Sequence, residues 1–61
     1  MNLYLEDGDI LRYRGPFLSV DADWAYYRTR GGYIDREPRG SSRLLSATAP
    51  EINITDVERM I

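Results

Sequence analysis

One stretch constrains this chain more than any other: Asp-Trp-Ala-Tyr-Tyr-Arg-Thr-Arg-Gly-Gly-Tyr-Ile-Asp-Arg, from Asp23 to Arg36. Aromatic and β-branched residues flank a Gly-Gly pair, and tight two-residue hairpin turns need positive φ at their central positions. With Gly31-Gly32 as the loop, Arg30 is expected opposite Tyr33, Thr29 opposite Ile34, and Arg28 opposite Asp35. Side chains alternate along a strand, so Ala25, Tyr27, Thr29 and Ile34 share one face and Trp24, Tyr26, Arg28, Arg30, Tyr33 and Asp35 the other. The first set is smaller and more apolar, which points it at the core. The second is aromatic and basic, a composition enriched at binding hot spots. A plainer account makes Arg28–Asp35 a cross-strand ion pair and leaves the aromatics as sheet surface.

The rest of the chain reads as short strands between turn signals. Met1 to Leu5 alternates, with Met1, Leu3 and Leu5 on one side. Glu6-Asp7-Gly8-Asp9 is a turn in which Gly8 can take positive φ. Ile10 to Arg14 is a second strand, Leu11 and Tyr13 on one face, and Gly15-Pro16 is expected to break it. Phe17 to Val20 is a strand or a packed loop. Residues 37–42, Glu-Pro-Arg-Gly-Ser-Ser, read as an exposed loop, and Arg43 to Ala49 as a strand closed by Pro50. Ile52 and Ile54 alternate as a short strand, and Thr55 to Glu58 matches a helix capping box. The expected fold is therefore mainly β: a small five-stranded barrel or a curled antiparallel sheet, with a short helical turn or a last strand at the C-terminus.

Length and composition set the limits. A chain of 61 residues makes one domain, residues 1–61, near the lower bound for folding without a staple. There is no cysteine, so disulfides and thiolate metal sites are excluded. No apolar run is long enough to span a membrane or serve as a signal peptide, so a cytoplasmic protein is the expectation. Asn53-Ile54-Thr55 fits a glycosylation pattern, read as chance without a secretion signal. All eight cations are arginine, which suits bidentate contacts and stacking on aromatic rings but equally reflects codon bias. The net charge of −2 is uneven: residues 1–23 carry −3, residues 24–43 carry +3 and residues 44–61 carry −2.

Several short motifs resemble the Src-homology-three family. Asn2-Leu3-Tyr4-Leu5 sits where the family has an alternating segment such as ELSF, and Gly8-Asp9-Ile10-Leu11 resembles its Gly-Asp plus apolar strand. Asp21-Ala22-Asp23-Trp24 resembles its acidic loop and first tryptophan, and Gly32-Tyr33-Ile34 its Gly-Tyr-Ile. The resemblance covers about residues 2–36 and implies a small β-barrel that binds protein segments. The departures are large. The family's first strand has no counterpart, so a missing strand would have to come from residues 43–54. The second tryptophan is Ala25, the proline after Gly-Tyr-Ile is Asp35, and the tyrosine beyond it is Pro38. Of the groove that docks proline-rich ligands only Trp24, Asp21 and Asp23 carry over. The resemblance therefore bears on fold more than on ligand.

The chemistry points away from an enzyme. The chain lacks histidine, cysteine and lysine, which removes the usual neutral-pH base, the thiolate nucleophile and the Schiff-base amine. Asp7 with Asp9, and Asp21 with Asp23, lie in turns where acids serve local hydrogen bonding, and a calcium loop would need further ligands. No cofactor, metal or glycine-rich phosphate loop is expected. The leading expectation is a protein-binding module or an accessory or inhibitory protein, of a kind that phages and mobile elements encode, acting through Trp24, Tyr26, Tyr33, Arg28, Arg30, Asp21 and Asp23. The alternative is a nucleic-acid-binding barrel using Arg12, Arg14, Arg28, Arg30, Arg36, Arg39 and Arg43 with aromatic stacking. The interleaved acids and the negative net charge count against that. A third reading is a structural subunit whose Phe17, Leu18 and Met60-Ile61 are covered by neighbours.

Overall fold

A computed structural model describes residues 1–54. The turn at Gly8, with φ 63°, joins β1 (Asn2–Asp7) to β2 (Ile10–Val20) as an antiparallel hairpin. Next come β3 (Trp24–Arg28), β4 (Ile34–Pro38), a single 3-10 turn (Arg39–Ser41), β5 (Ser42–Leu45) and β6 (Glu51–Asn53). The strand order is β4-β3-β2-β1-β5, with β6 added on β2. The result is one curled antiparallel sheet that does not close, without an α-helix among the described residues. Residues 42–45 form β5, which pairs back onto β1 with Leu3 opposite Leu44. The capping box and the chain end lie outside the described residues.

β2 is the spine, and Gly15-Pro16 does not break it. The strand runs on through eleven residues and bends at two register irregularities, one opposite Leu3/Tyr4 and one between Phe17 and Ser19. Gly15 is buried because the Arg28 carbonyl lies against its α-carbon: a β-carbon there would sit 2.2 Å from that oxygen. The Phe17 N–H donates to the Met1 carbonyl at 2.9 Å. Ladder bonds alternate in direction, so the N–H that Pro16 lacks falls on the side away from β1, where no pairing is lost.

Two apolar layers result. Leu3, Ala25 and Tyr27 are buried together, with Phe17 and Leu44 packed against them. On the other side of β1, Tyr4 is also fully buried, although the alternation read from the sequence covers only the Leu3 side. Its ring packs edge-on against Tyr13 at 5.4 Å. The cover comes from residues 46–50, which cross from β5 beside β1 to β6 beside β2. The Tyr4 hydroxyl donates to the Ala47 carbonyl and accepts from the Ala49 N–H, both at 2.7 Å. The Asn2 carboxamide donates to Ser46 O, Ala47 O and Thr48 Oγ1, and the Tyr13 N–H donates to Pro50 O. At the rim, Arg12 bridges Asp7 at 2.7 Å and Glu51 at 2.6 Å. Such half-exposed pairs add little because water screens them, whereas burying one large side chain contributes about 1.5–3 kcal/mol. Burial of Tyr4 and Leu11, rather than the charges, holds this strap down.

Residues 37–42 are not an exposed loop. Glu37 and Pro38 finish β4, and Ser42 is fully buried as β5 begins. A buried hydroxyl needs a partner; Ser42 Oγ donates to the Pro38 carbonyl at 2.7 Å, four residues back.

The central hairpin forms, but one residue out of the expected register. Tyr27 lies opposite Asp35, and Arg28 opposite Ile34. The Thr29 N–H donates to the Tyr33 carbonyl, the Gly32 N–H to the Thr29 carbonyl, and the Tyr33 N–H to Thr29 Oγ1. Only Gly32 takes positive φ, at 86°. The loop is thus a turn followed by a glycine bulge rather than a two-residue turn. One residue of slip moves every β4 side chain to the opposite face. Ile34, expected inside, is 62% exposed, and Asp35 shares the Tyr27 side. The Arg28–Asp35 ion pair does not form: Arg28 Nη1 donates to the Gly32 carbonyl, and Asp35 Oδ1 accepts the Arg36 N–H.

Candidate binding face of the central hairpin

With the register set, the outer face of β3 and β4 pairs Trp24 with Pro38, Tyr26 with Arg36, and Arg28 with Ile34. The turn before β3 fixes this face from one end. Asp21 Oδ1 accepts the N–H groups of Asp23 and Trp24 at 2.9 and 2.8 Å, a side chain closing its own turn. Its other oxygen accepts the Tyr26 hydroxyl at 2.7 Å. The Tyr26 hydrogen bond, with those two N–H groups, holds the Asp21 carboxyl below the usual aspartate range, and the same bond raises the Tyr26 phenol. The Arg36 guanidinium lies 4.1 Å from the centre of the Trp24 ring, a cation–π stack. Arg39 closes the cluster: its backbone N–H donates to the Asp23 carbonyl and Nη1 reaches the Asp21 carbonyl.

Of the residues expected to bind a partner, Asp21, Asp23, Trp24 and Tyr26 come together. The others do not join them. Tyr33 stands at the hairpin tip, 76% exposed, Arg28 reaches along the same face to the Gly32 carbonyl, and Arg30 lines a separate groove beside Tyr13, Arg14, Gly15 and Pro16. In their place the structure brings Arg36 and Arg39, read from the sequence only as nucleic-acid contacts. The signal that would have found Arg36 is the register, since a five-residue connection from Thr29 to Tyr33 sets it opposite Tyr26.

The arginines expected on nucleic acid do not form one stripe. Arg12 is held by Asp7 and Glu51, which raise its guanidinium further above its already high range. Arg43 pairs with Glu6. Arg14 stacks on the Tyr27 ring at 5.6 Å, donates from Nη2 to the Tyr27 hydroxyl at 3.1 Å, and lies 2.9 Å from Glu37 Oε2 through Nε. That Nε–H is not aligned for a hydrogen bond, and it is the one buried side-chain polar atom among the described residues left without one. The Tyr27 phenol in turn donates to Glu37, and burial raises its pKa. Among the seven, Arg30 alone has no partner within the described residues.

Among the described residues no three metal-ligating side chains cluster, and no helix is long and apolar enough to cross a membrane. Compared with protein-family models, curated proteins and solved structures, the chain matches none of them.

Proposed function

We propose that this chain is a protein-binding module whose partner docks on the outer face of β3 and β4. The observation that carries the proposal is the Arg36–Trp24 stack, braced by Asp21 and Tyr26 and set beside exposed Ile34. This places rigid aromatic and guanidinium area next to an uncovered aliphatic side chain, a combination typical of interface hot spots. Side chains already held in one arrangement lose little freedom on binding. The free edge of β4 supports face docking over strand addition. Pro38 has no N–H, and the Arg36 N–H is occupied by Asp35, so a strand laid along that edge would find few donors. The meander in which β5 returns to β1 after a 3-10 turn is compatible with the Src-homology-three resemblance, which we retain as the proposed ancestry of the fold. A module of this size would act as an accessory or inhibitory subunit of a larger machine in the cytoplasm.

The test is capture of a partner with wild-type, Trp24→Ala and Arg36→Ala baits of equal folded content, judged by amide NMR dispersion. Loss of the partner from both variants is expected. Full affinity in a folded Trp24→Ala protein overturns the proposal. Capture of nucleic acid that fades steeply between low and physiological salt would favour the nucleic-acid reading instead.

A further inference from the structure

The outer edge of β2 serves two neighbours in turn. Residues 17–20 pair with β3, and residues 10–12 pair with β6. Between them the edge has no strand beside it, and β3 peels away into the hairpin loop. The gap is an open groove of about 560 Å³, walled by Tyr13, Arg14 and Pro16 on β2 and by Arg28, Thr29 and Arg30 opposite. That volume is in the range of about 300–1,000 Å³ usual for small-ligand sites. We propose that this groove binds a carboxylate-bearing segment of an acidic peptide, a second site distinct from the Trp24 face.

Three observations carry this. The charge lining the groove is unbalanced: Glu37 neutralises Arg14, but Arg30 has no partner among the described residues. The Arg30 guanidinium can offer forked donors to a carboxylate, which is the geometry arginine favours. The groove also has apolar walls in Tyr13 and Pro16, so a charged residue next to an aliphatic one would fit. Finally, Pro16 offers no N–H, so recognition must come from side chains rather than from an added strand. Duplex or single-stranded nucleic acid is the poorer match, because it needs a continuous basic track, and Arg12 and Arg43 are already paired with Asp7, Glu51 and Glu6.

The test is an amide NMR titration of the whole chain with acetylated, amidated peptides of sequence Leu-Glu-Leu-Glu and Leu-Gln-Leu-Gln, and with an eight-residue oligothymidylate. Saturable shifts at Tyr13–Gly15 and Arg28–Arg30 with the glutamate peptide only are expected. Arg30→Gln, which breaks no contact in the fold, is expected to weaken that binding about tenfold, the size of one charge-assisted pair. An equal response to the glutamine peptide, unchanged affinity in Arg30→Gln, or tighter binding of the oligonucleotide at those amides would each overturn the proposal. Shifts confined to Trp24, Tyr26 and Arg36 would also overturn it, while leaving the Trp24 face as the binding site.

Discussion

Gly15→Ala is the substitution on which the fold description can be tested hardest. The new methyl group would lie 2.2 Å from the Arg28 carbonyl oxygen and 3.3 Å from both the Arg28 carbonyl carbon and the Tyr27 ring. Ordinary contact needs about 3.5 Å, so β2 and the end of β3 must separate by roughly 1 Å. Overpacking of this kind costs about 1–3 kcal/mol, and here the obstruction is backbone on both sides, with no side chain able to swing clear. The upper figure, about 3 kcal/mol, is therefore expected. Domains of this length hold about 3–9 kcal/mol in all, and each kilocalorie moves the midpoint by about 4–8 °C. A fall in Tm of about 12–24 °C follows, read by near-UV circular dichroism and checked by urea unfolding. Gly31→Ala is the control: its methyl would meet the ring of exposed Tyr33 at 3.2 Å and Thr29 Oγ1 at an ordinary 4.0 Å, and its φ is not positive. It should change stability by less than about 0.5 kcal/mol. A Gly15→Ala protein melting within about 3 °C of wild type would refute the close approach of β2 and β3.

The strap over Tyr4 gives a second expectation. Tyr4→Phe keeps the ring but leaves the Ala47 carbonyl and the Ala49 N–H without their shared partner. A loss of about 1–3 kcal/mol is expected, with faster hydrogen exchange at Ala49 and Tyr13; unchanged exchange at both would count against the strap. The Asp21 turn should respond to acid. Its folded-state pKa is depressed, by the Tyr26 hydroxyl first and then by two N–H groups. The stability it contributes is therefore present above the unfolded aspartate value and is lost as pH falls through the lower folded value. The Asp23 and Trp24 amides should titrate together with a midpoint below the ordinary aspartate value, and Asp21→Asn should abolish that titration. A midpoint at or above the ordinary aspartate range would contradict the hydrogen-bonded turn.

Periodicity in the sequence carried the strands well, because alternation reports which side of a strand is dry. Ala25 and Tyr27 were legible as core, and Trp24 and Tyr26 as the outer face, from that rule alone. What it could not convey is the number of residues the hairpin loop absorbs. Gly31-Gly32 looks like a two-residue turn, yet the Thr29 hydroxyl captures the Tyr33 N–H and only Gly32 needs its left-handed backbone. That single choice swapped Ile34 and Asp35 between faces and brought Arg36 onto Trp24. Gly15 misled for a related reason. A glycine beside a proline reads as a break, whereas here its missing side chain admits a carbonyl from thirteen residues further on, a contact that local pattern cannot encode. Tyr4 was invisible as core because its cover is a stretch of small residues, Ser46 to Pro50, whose backbone supplies the hydrogen bonds.

The order in which these contacts can form also follows from the topology. β1 finds its second neighbour only when residues 42–45 exist, and the start of β2 acquires its outer neighbour only with residues 51–53. Local hairpins can close early, since β1 with β2 and β3 with β4 are adjacent in sequence. The Leu3 layer is not sealed until β5 arrives, and the Tyr4 layer not until residues 46–53 do. Long-range pairings of this kind slow folding, because loop entropy must be lost before the contacts reward it. On a ribosome, the chain would therefore emerge as an open four-strand meander with Leu3 and Tyr4 uncovered. It would complete its fold in one late step after residue 53 has cleared the exit tunnel, and until then it would depend on dilution or chaperones to stay soluble.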